Sequence, residues 1–247
     1  MIIIPARLNS SRFENKILVD IMGMPMVIRT AKAVESLDEV VIATDSLEVI
    51  ELAKQYNVKA VITSDEHQSG TNRINEVANI LNLKDDDVVV NVQADEPFIE
   101  KEVVQAVINR VKEQNQTLDK NQFNMVSCYK EINSEIADDP NHVKVVCDEN
   151  ENAIYFSRSK IPYHRDHYNS TKYKGHLGIY GFTKKSLNYF CSLKPSFLED
   201  TEKLEQLRAI SNGNKISMVK VKSKSFGIDT KEDLQNALRI FNKNYED

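Results

Sequence analysis

Ile2-Ile3-Ile4-Pro5-Ala6-Arg7-Leu8-Asn9-Ser10-Ser11-Arg12-Phe13-Glu14-Asn15-Lys16 decides how the rest of the chain is read. A short apolar run with no polar alternation has the look of a strand buried on both faces. It breaks into a polar loop carrying three cations, Arg7, Arg12 and Lys16, and two serines. Three further runs repeat the first half of that pattern: Glu39 to Thr44, Val58 to Thr63 and Val88 to Val92. Between them apolar residues recur at helical spacing: Val27, Ala31 and Val34; Ile74, Val77, Ala78 and Leu81; Val103, Val104, Val107, Ile108 and Val111. Strand and helix alternating over short turns predict a parallel sheet covered by helices on both faces.

From Asn124 the character changes. The polar stretch Glu113 to Gln122 predicts a surface loop. After it Asn124 to Lys130, Val143 to Cys147, Ala153 to Ser157 and Gly178 to Phe182 read as strands joined by Asp, Asn and Pro turns. Two helical stripes follow, Leu204, Leu207 and Ile210, then Leu234, Ala237, Leu238 and Phe241. No internal repeat and no long linker interrupts the chain. The expectation is one α/β domain over 1–247, with a mixed, mostly parallel sheet and a strand-rich insertion at roughly 124–182.

Composition narrows the function. The 247 residues carry 37 acids against 32 bases, a net charge of −5, without the basic footprint of a nucleic-acid binder. No apolar run approaches the roughly 20 residues that span a bilayer, and no signal-peptide pattern is present at the N-terminus. Three scattered cysteines and no close metal-ligand cluster argue against a disulfide framework or a zinc site. The expectation is a cytoplasmic protein with no nucleic-acid partner and no membrane association.

Ligands of open α/β sheets bind beyond the carboxyl ends of the strands. The Arg7–Lys16 loop lies there, and its forked guanidinium and point-charge donors suit a polyphosphate. It is neither a Walker A loop nor a GxGxxG turn, since the glycines are missing. Ser69-Gly70-Thr71-Asn72-Arg73 opens a helix, with Thr71 or Asn72 as the expected cap and Arg73 near an anion or base. The strand ending at Val92 runs into Gln93-Ala94-Asp95-Glu96-Pro97, which puts carboxylates where a Mg²⁺ ligand is expected. Asp85-Asp86-Asp87 imitates a DxD motif, but it precedes its strand and reads as a solvated turn. Asp229 stands just ahead of a capping-box-like start at Thr230 to Asp233, and with Asp95 it could share one Mg²⁺ completed by phosphate oxygens and water. Arg158, at a strand end, could fork onto a carboxylate. His176 and Tyr180 are an even number of strand positions apart and share a face. Glu205 and Gln206 fall on the polar side of the helix striped by Leu204 and Leu207.

In order along the chain, Ile4-Pro5-Ala6-Arg7 with Ser11, Arg12 and Lys16, Ser69-Gly70-Thr71 with Arg73, and Asn91-Val92-Gln93 before Asp95-Glu96-Pro97 form a series. Asp139-Pro140-Asn141 with Val143-Lys144-Val145-Val146, Tyr155-Phe156-Ser157-Arg158, His176-Leu177-Gly178-Ile179-Tyr180, Leu204-Glu205-Gln206-Leu207-Arg208 and Asp229-Thr230 with Glu232-Asp233-Leu234 continue it. The series resembles the 3-deoxy-manno-octulosonate (Kdo) cytidylyltransferases over essentially the whole chain. That resemblance implies a nucleotide-diphospho-sugar-transferase-like, Rossmann-like fold and a homodimer formed through the strand-rich segment. It implies CTP and Kdo as substrates, CMP-Kdo and pyrophosphate as products for lipopolysaccharide biosynthesis, and Mg²⁺ as cofactor. It assigns Arg7, Ser11, Arg12 and Lys16 to the triphosphate, and Ser69, Arg73 and Gln93 to the nucleotide. Asp95 and Asp229 fall to the metal, with Arg12, Lys16, Asp95 and Asp229 as the catalytic set. Arg158, His176, Tyr180, Glu205 and Gln206 fall to the sugar acid. Ala94 and Asn72 stand where the family usually has Gly and an acid, and Phe13-Glu14-Asn15 replaces Pro-Gly. The alternatives are the same transfer onto 8-amino-Kdo or a sialic-acid-like sugar acid, or a CTP-binding sensor without catalysis.

Overall fold

A computed structural model describes residues 1–8, 13–117, 119, 122–165 and 172–242. The elements in order are β1 (Ile2–Ala6), α1 (Met26–Val34), β2 (Val40–Thr44), α2 (Leu47–Gln55), β3 (Lys59–Ile62), α3 (Gly70–Ile80), β4 (Val88–Asn91) and α4 (Lys101–Thr117). There follow β5 (Met125–Ile132), α5 (Ser134–Asp138), β6 (Lys144–Cys147), β7 (Ala153–Ser157), β8 (Tyr173–Thr183), α6 (Lys184–Ser192), α7 (Phe197–Glu202), α8 (Leu207–Ser211), β9 (Ser217–Lys220) and α9 (Lys231–Asn242). The chain divides into two compact units, one of Met1–Leu83, Val89–Gln105 and Ser223–Asp247, the other of Lys84–Val88 and Ala106–Lys222. The expected insertion at 124–182 lies inside the second.

In the first unit β3, β2, β1 and β4 pair in that order, every pairing parallel. β1 and β2 are buried at all positions, as their unbroken apolar runs require. The expected stripe of the last helix is real: Leu234, Ala237, Leu238 and Phe241 of α9 close a cluster with Ile21, Met26 and Ile228. Phe241 stacks on Phe98 with ring centroids 4.2 Å apart. That cluster anchors the segment leading into α9, and with it Asp229.

The second unit is mixed. β5 runs antiparallel to β8 and parallel to β9, while β6 is antiparallel to both β7 and β8. Gly181 lets β8 approach α4 closely, because a Cβ there would lie 2.6 Å from Val111 Cγ2.

Several expectations are corrected. The loop expected from Glu113 is helical as far as Thr117, because Arg110 pairs with Glu113 and Thr117 Oγ1 donates to the Glu113 carbonyl. The cap of α3 is Ser69, not Thr71 or Asn72: its hydroxyl accepts the Asn72 N–H, and Gly70 and Thr71 are already helical. Leu204 and Leu207 do not stripe one helix. Lys203 turns left-handed at φ 53 and ends α7, so Leu204, Glu205 and Gln206 form the turn before α8. The Asp85-Asp87 triplet is a turn, as expected, its Asp87 and Asp85 carbonyls accepting the first N–H groups of α6.

Candidate functional site

In the first unit a cavity of about 290 Å³ opens at the carboxyl ends of the strands. Arg7, Lys16, Ser69, Arg73, Gln93, Asp95 and Asp229, all singled out from the sequence, line it. Ser11 and Arg12 lie outside the described residues.

Local chain geometry explains the convergence. Asn15 adopts a left-handed φ of 52 and starts a 3-10 turn over Lys16–Leu18, which begins with Lys16. Asp95 follows β4, and its carbonyl accepts the Ile228 N–H at 2.9 Å, so the two acid-bearing segments lie side by side. Asp233 Oδ2 then accepts the N–H groups of Asp229 and Thr230 at 3.1 and 2.8 Å, fixing the start of α9 as the capping reading required. The result is a cation held between two carboxylates: Lys16 Nζ is 2.6 Å from Asp95 Oδ2 and 2.7 Å from Asp229 Oδ1. Burial works against the Lys16 charge, but the two carboxylates outweigh it and hold its pKa above the ordinary lysine value.

Gly70 brings α3 against β1. A Cβ there would lie 3.0 Å from Pro5 Cγ, so a larger residue would press on the proline ring at this separation. The N-terminal end of α3, with its partial positive charge, therefore borders the cavity. Arg73 is 3 % exposed and already engaged: Nη2 donates to Asp45 Oδ2 at 2.7 Å and Nη1 to Thr63 Oγ1 at 2.5 Å. Its charge is thus fixed at the cavity wall by a partner from the β2–α2 junction. Ala94, where the family usually has Gly, does not have a left-handed φ, so its methyl meets no backbone penalty.

Sequence reasoning missed His67 and Gln68, which also line the cavity. His67 Nε2 is 2.5 Å from Glu76 Oε2, and that carboxylate also accepts the Ser64 N–H at 3.0 Å. Asp45 was missed as well; its only sequence signal is an acid directly after a buried strand.

The five residues assigned to the sugar acid all fall in the second unit. Arg158 follows β7. Its Nε donates to the Glu202 carbonyl at 2.7 Å and its Nη1 to the Pro140 carbonyl at 3.1 Å, and no ion pair of its guanidinium occurs among the described residues. It is an oriented charge with neutral partners. His176 and Tyr180 share a face of β8, as the even spacing predicts, with ring centroids 5.6 Å apart. His176 Nε2 is 2.8 Å from Ser127 Oγ, and burial pushes its pKa down to about 3, so the ring is neutral. Burial likewise raises the Tyr180 phenol, whose hydroxyl donates to Gln206 Oε1 at 3.0 Å. Gln206 is 2 % exposed and its Nε2 has no hydrogen-bond partner among the described residues. Glu205 is not on a helix face; it lies in the turn, 3.7 Å from Arg208 Nη2. Lys144, quoted in the resembling series but given no role, and Glu202, missed from the sequence, hold the backbone around Arg158.

The fold and these two constellations define an α/β protein equipped for a phosphorylated nucleotide and a small polar acid. The cytidylyltransferase family model matches residues 1–216. The 3-deoxy-manno-octulosonate cytidylyltransferase of Wolinella succinogenes is 51% identical, covering 98% of this chain and 99% of its own. That of Helicobacter pylori is 52% identical, covering 99% and 98%. A solved CMP:2-keto-3-deoxy-manno-octonic acid synthetase complexed with CTP superposes with a TM-score of 0.88 at 32% identity over 98% of both chains. A glucose-1-phosphate thymidylyltransferase structure from Bacillus anthracis, described as putative, shares the fold, with a TM-score of 0.62 at 17% identity over 97% of this chain and 94% of that one. The chain belongs to the cytidylyltransferase family, among the 3-deoxy-manno-octulosonate cytidylyltransferases.

Proposed function

We propose that this protein transfers the cytidylyl group of CTP to the C2 hydroxyl of 3-deoxy-manno-octulosonate, releasing pyrophosphate and forming CMP-Kdo for lipopolysaccharide synthesis. The hydroxyl oxygen attacks the α-phosphorus and gives up its proton to solvent, while the bond from the α-phosphorus to the bridging oxygen breaks and pyrophosphate leaves with that bond's electron pair. The observation that carries this reading is the convergence of Asp95 and Asp229 on the one Lys16 ammonium at the cavity beyond the strand ends. Arg7 and Lys16 supply positive charge to the phosphates, and the N-terminus of α3 adds its dipole. Arg73 stays oriented by Asp45.

The donor set fits Mg²⁺. That ion takes one or two protein carboxylates and fills its octahedron with phosphate oxygens and water, and here two carboxylates already meet on one cation. Among the described residues no cluster of three or more His, Cys, Asp or Glu competes with them. Bound there, Mg²⁺ would neutralise phosphate charge and acidify a coordinated hydroxyl.

In the second unit Arg158 receives the C1 carboxylate of the sugar acid. Its guanidinium lies on carbonyls and carries its full charge to a ligand. Among the described residues Gln206 Nε2 is a buried donor without an acceptor, a state that costs about 1–3 kcal/mol and that a sugar hydroxyl relieves. The neutral His176 ring adds a hydrogen-bonding partner without charge.

A homodimer through the 124–182 segment belongs to the same reading. It is supported by the exposed apolar side chains Ile136, Ile154 and Tyr163 on that segment. No helix among the described residues is long and apolar enough to cross a membrane.

The experiment is pyrophosphate release from CTP and Mg²⁺ with no acceptor, Kdo, 8-amino-Kdo or N-acetylneuraminate. Release that requires Kdo and Mg²⁺ is the expected result. Saturable CTP binding with no release in any arm would make the protein a sensor. Release favouring another acceptor would reassign the sugar.

A further inference from the structure

Lys144 is a lysine with no exposed surface, in the middle of the second unit. A buried ammonium is costly unless its donors are met. Its Nζ donates to the Asp139 carbonyl at 3.0 Å and to the Arg158 carbonyl at 2.5 Å, and burial lowers its pKa. A leucine or methionine would fill the same space without that cost, so the charge has a use beyond packing.

The register shows what the use is. On β6, Lys144 pairs with Ser157 of β7 on one side and Gly175 of β8 on the other. Arg158 and His176 are the next residues along those two strands. The peptide before Lys144 is tied to the same place, since the His176 N–H donates to the Val143 carbonyl at 2.8 Å.

Arg158 is gripped from every side. Its carbonyl accepts from Lys144, its N–H donates to Glu202 Oε2 at 2.9 Å, and its Nε donates to the Glu202 carbonyl. Its Nη1 rests on the Pro140 carbonyl, and the carbonyl just before that one, on Asp139, is the other partner of Lys144. One ammonium therefore fixes both the backbone from which the guanidinium springs and the turn on which it lies.

We propose that Lys144 is a positioning residue for Arg158: by clamping the 139–140 turn to the end of β7 it aims the guanidinium at the carboxylate of the sugar acid. This rests on the assignment of Arg158 to that carboxylate. Lys144 touches no substrate. It spends its charge on two carbonyls so that the charge of Arg158 is left for the ligand.

The test is steady-state kinetics on Lys144→Met, Arg158→Gln and the double variant, with KM read separately for CTP and the sugar acid, and circular dichroism to confirm folding. Lys144→Met should raise the sugar-acid KM by about 10- to 100-fold, the size of a lost hydrogen bond to a charged group, with the CTP KM unchanged. The double variant should be no worse than Arg158→Gln alone, since the lysine acts through the arginine. If Lys144→Met does not accumulate folded, Lys144→Gln, which keeps an N–H donor, carries the same comparison with a smaller effect. An unchanged sugar-acid KM in both Lys144 variants, equal losses for CTP and sugar acid, or multiplying effects in the double variant would each overturn the proposal. If Arg158→Gln itself leaves the sugar-acid KM unchanged, the assignment of Arg158 fails instead.

Discussion

The Lys16 ammonium lies 2.6 Å from the Asp95 carboxylate although 79 positions separate them in the chain. Asp229, 213 positions from Lys16, completes the contact at 2.7 Å. A loop after the first strand, a loop after the fourth and the lead-in to the last helix thus meet at one charge.

Removing Asp95 leaves one carboxylate where the proposed metal would have two. Asp95→Ala should cut turnover by about 10²–10³-fold, the range for loss of a group that stabilises developing charge. Pyrophosphate release at modest Mg²⁺ measures it, and near-normal turnover would sink the metal assignment.

Lys16 and a divalent cation compete for the same two carboxylates. Lys16→Met should therefore tighten binding of Mn²⁺ by the nucleotide-free protein severalfold, read by electron paramagnetic resonance titration, while raising the CTP KM. Unchanged Mn²⁺ affinity would show that the ammonium does not shield the pair.

Arg73 is buried against Asp45 and Thr63. Asp45→Ala leaves the guanidinium without its carboxylate, and breaking a buried pair from one side costs about 3–5 kcal/mol. Because Asp45 keeps 22% of its side-chain surface exposed, the loss expected in urea unfolding falls at the lower end of that range.

His176 gives a pH signature. Its pKa falls from 6.5 to about 3 on burial, so between those values the unfolded chain binds a proton that the folded one refuses. Stability then rises with pH across that window and is lost as pH falls from about 6.5 towards 3. His176→Gln should flatten the slope in urea titrations over that range; an unchanged slope would mean that the ring is not kept neutral.

Much of this was legible beforehand. The apolar runs of β1 and β2 and the stripe of α9 announce burial by composition alone, because a strand covered on both faces has no room for alternation. Seven of the residues that line the cavity were recognisable because they stand after a strand end or near the start of a helix; His67 and Gln68 were not. The turn at Lys203 was not legible: a left-handed lysine carries no local signal, so the Leu204–Leu207 spacing imitated a helix. Lys144 stands in the resembling series, within Val143-Lys144-Val145-Val146, but nothing local in the sequence gives it a role.

By itself the sequence determined the strands β1 to β4, the helical stripes of α1, α3, α4 and α9, and the chemical groups that stand near their ends, because hydrophobic period and capping are local properties. Only the tertiary structure decided who partners whom. It set Lys16 between Asp95 and Asp229, Arg73 against Asp45, and Lys144 beneath Arg158. Charges so far apart in the chain meet through strand register and core packing, which no short stretch of residues encodes.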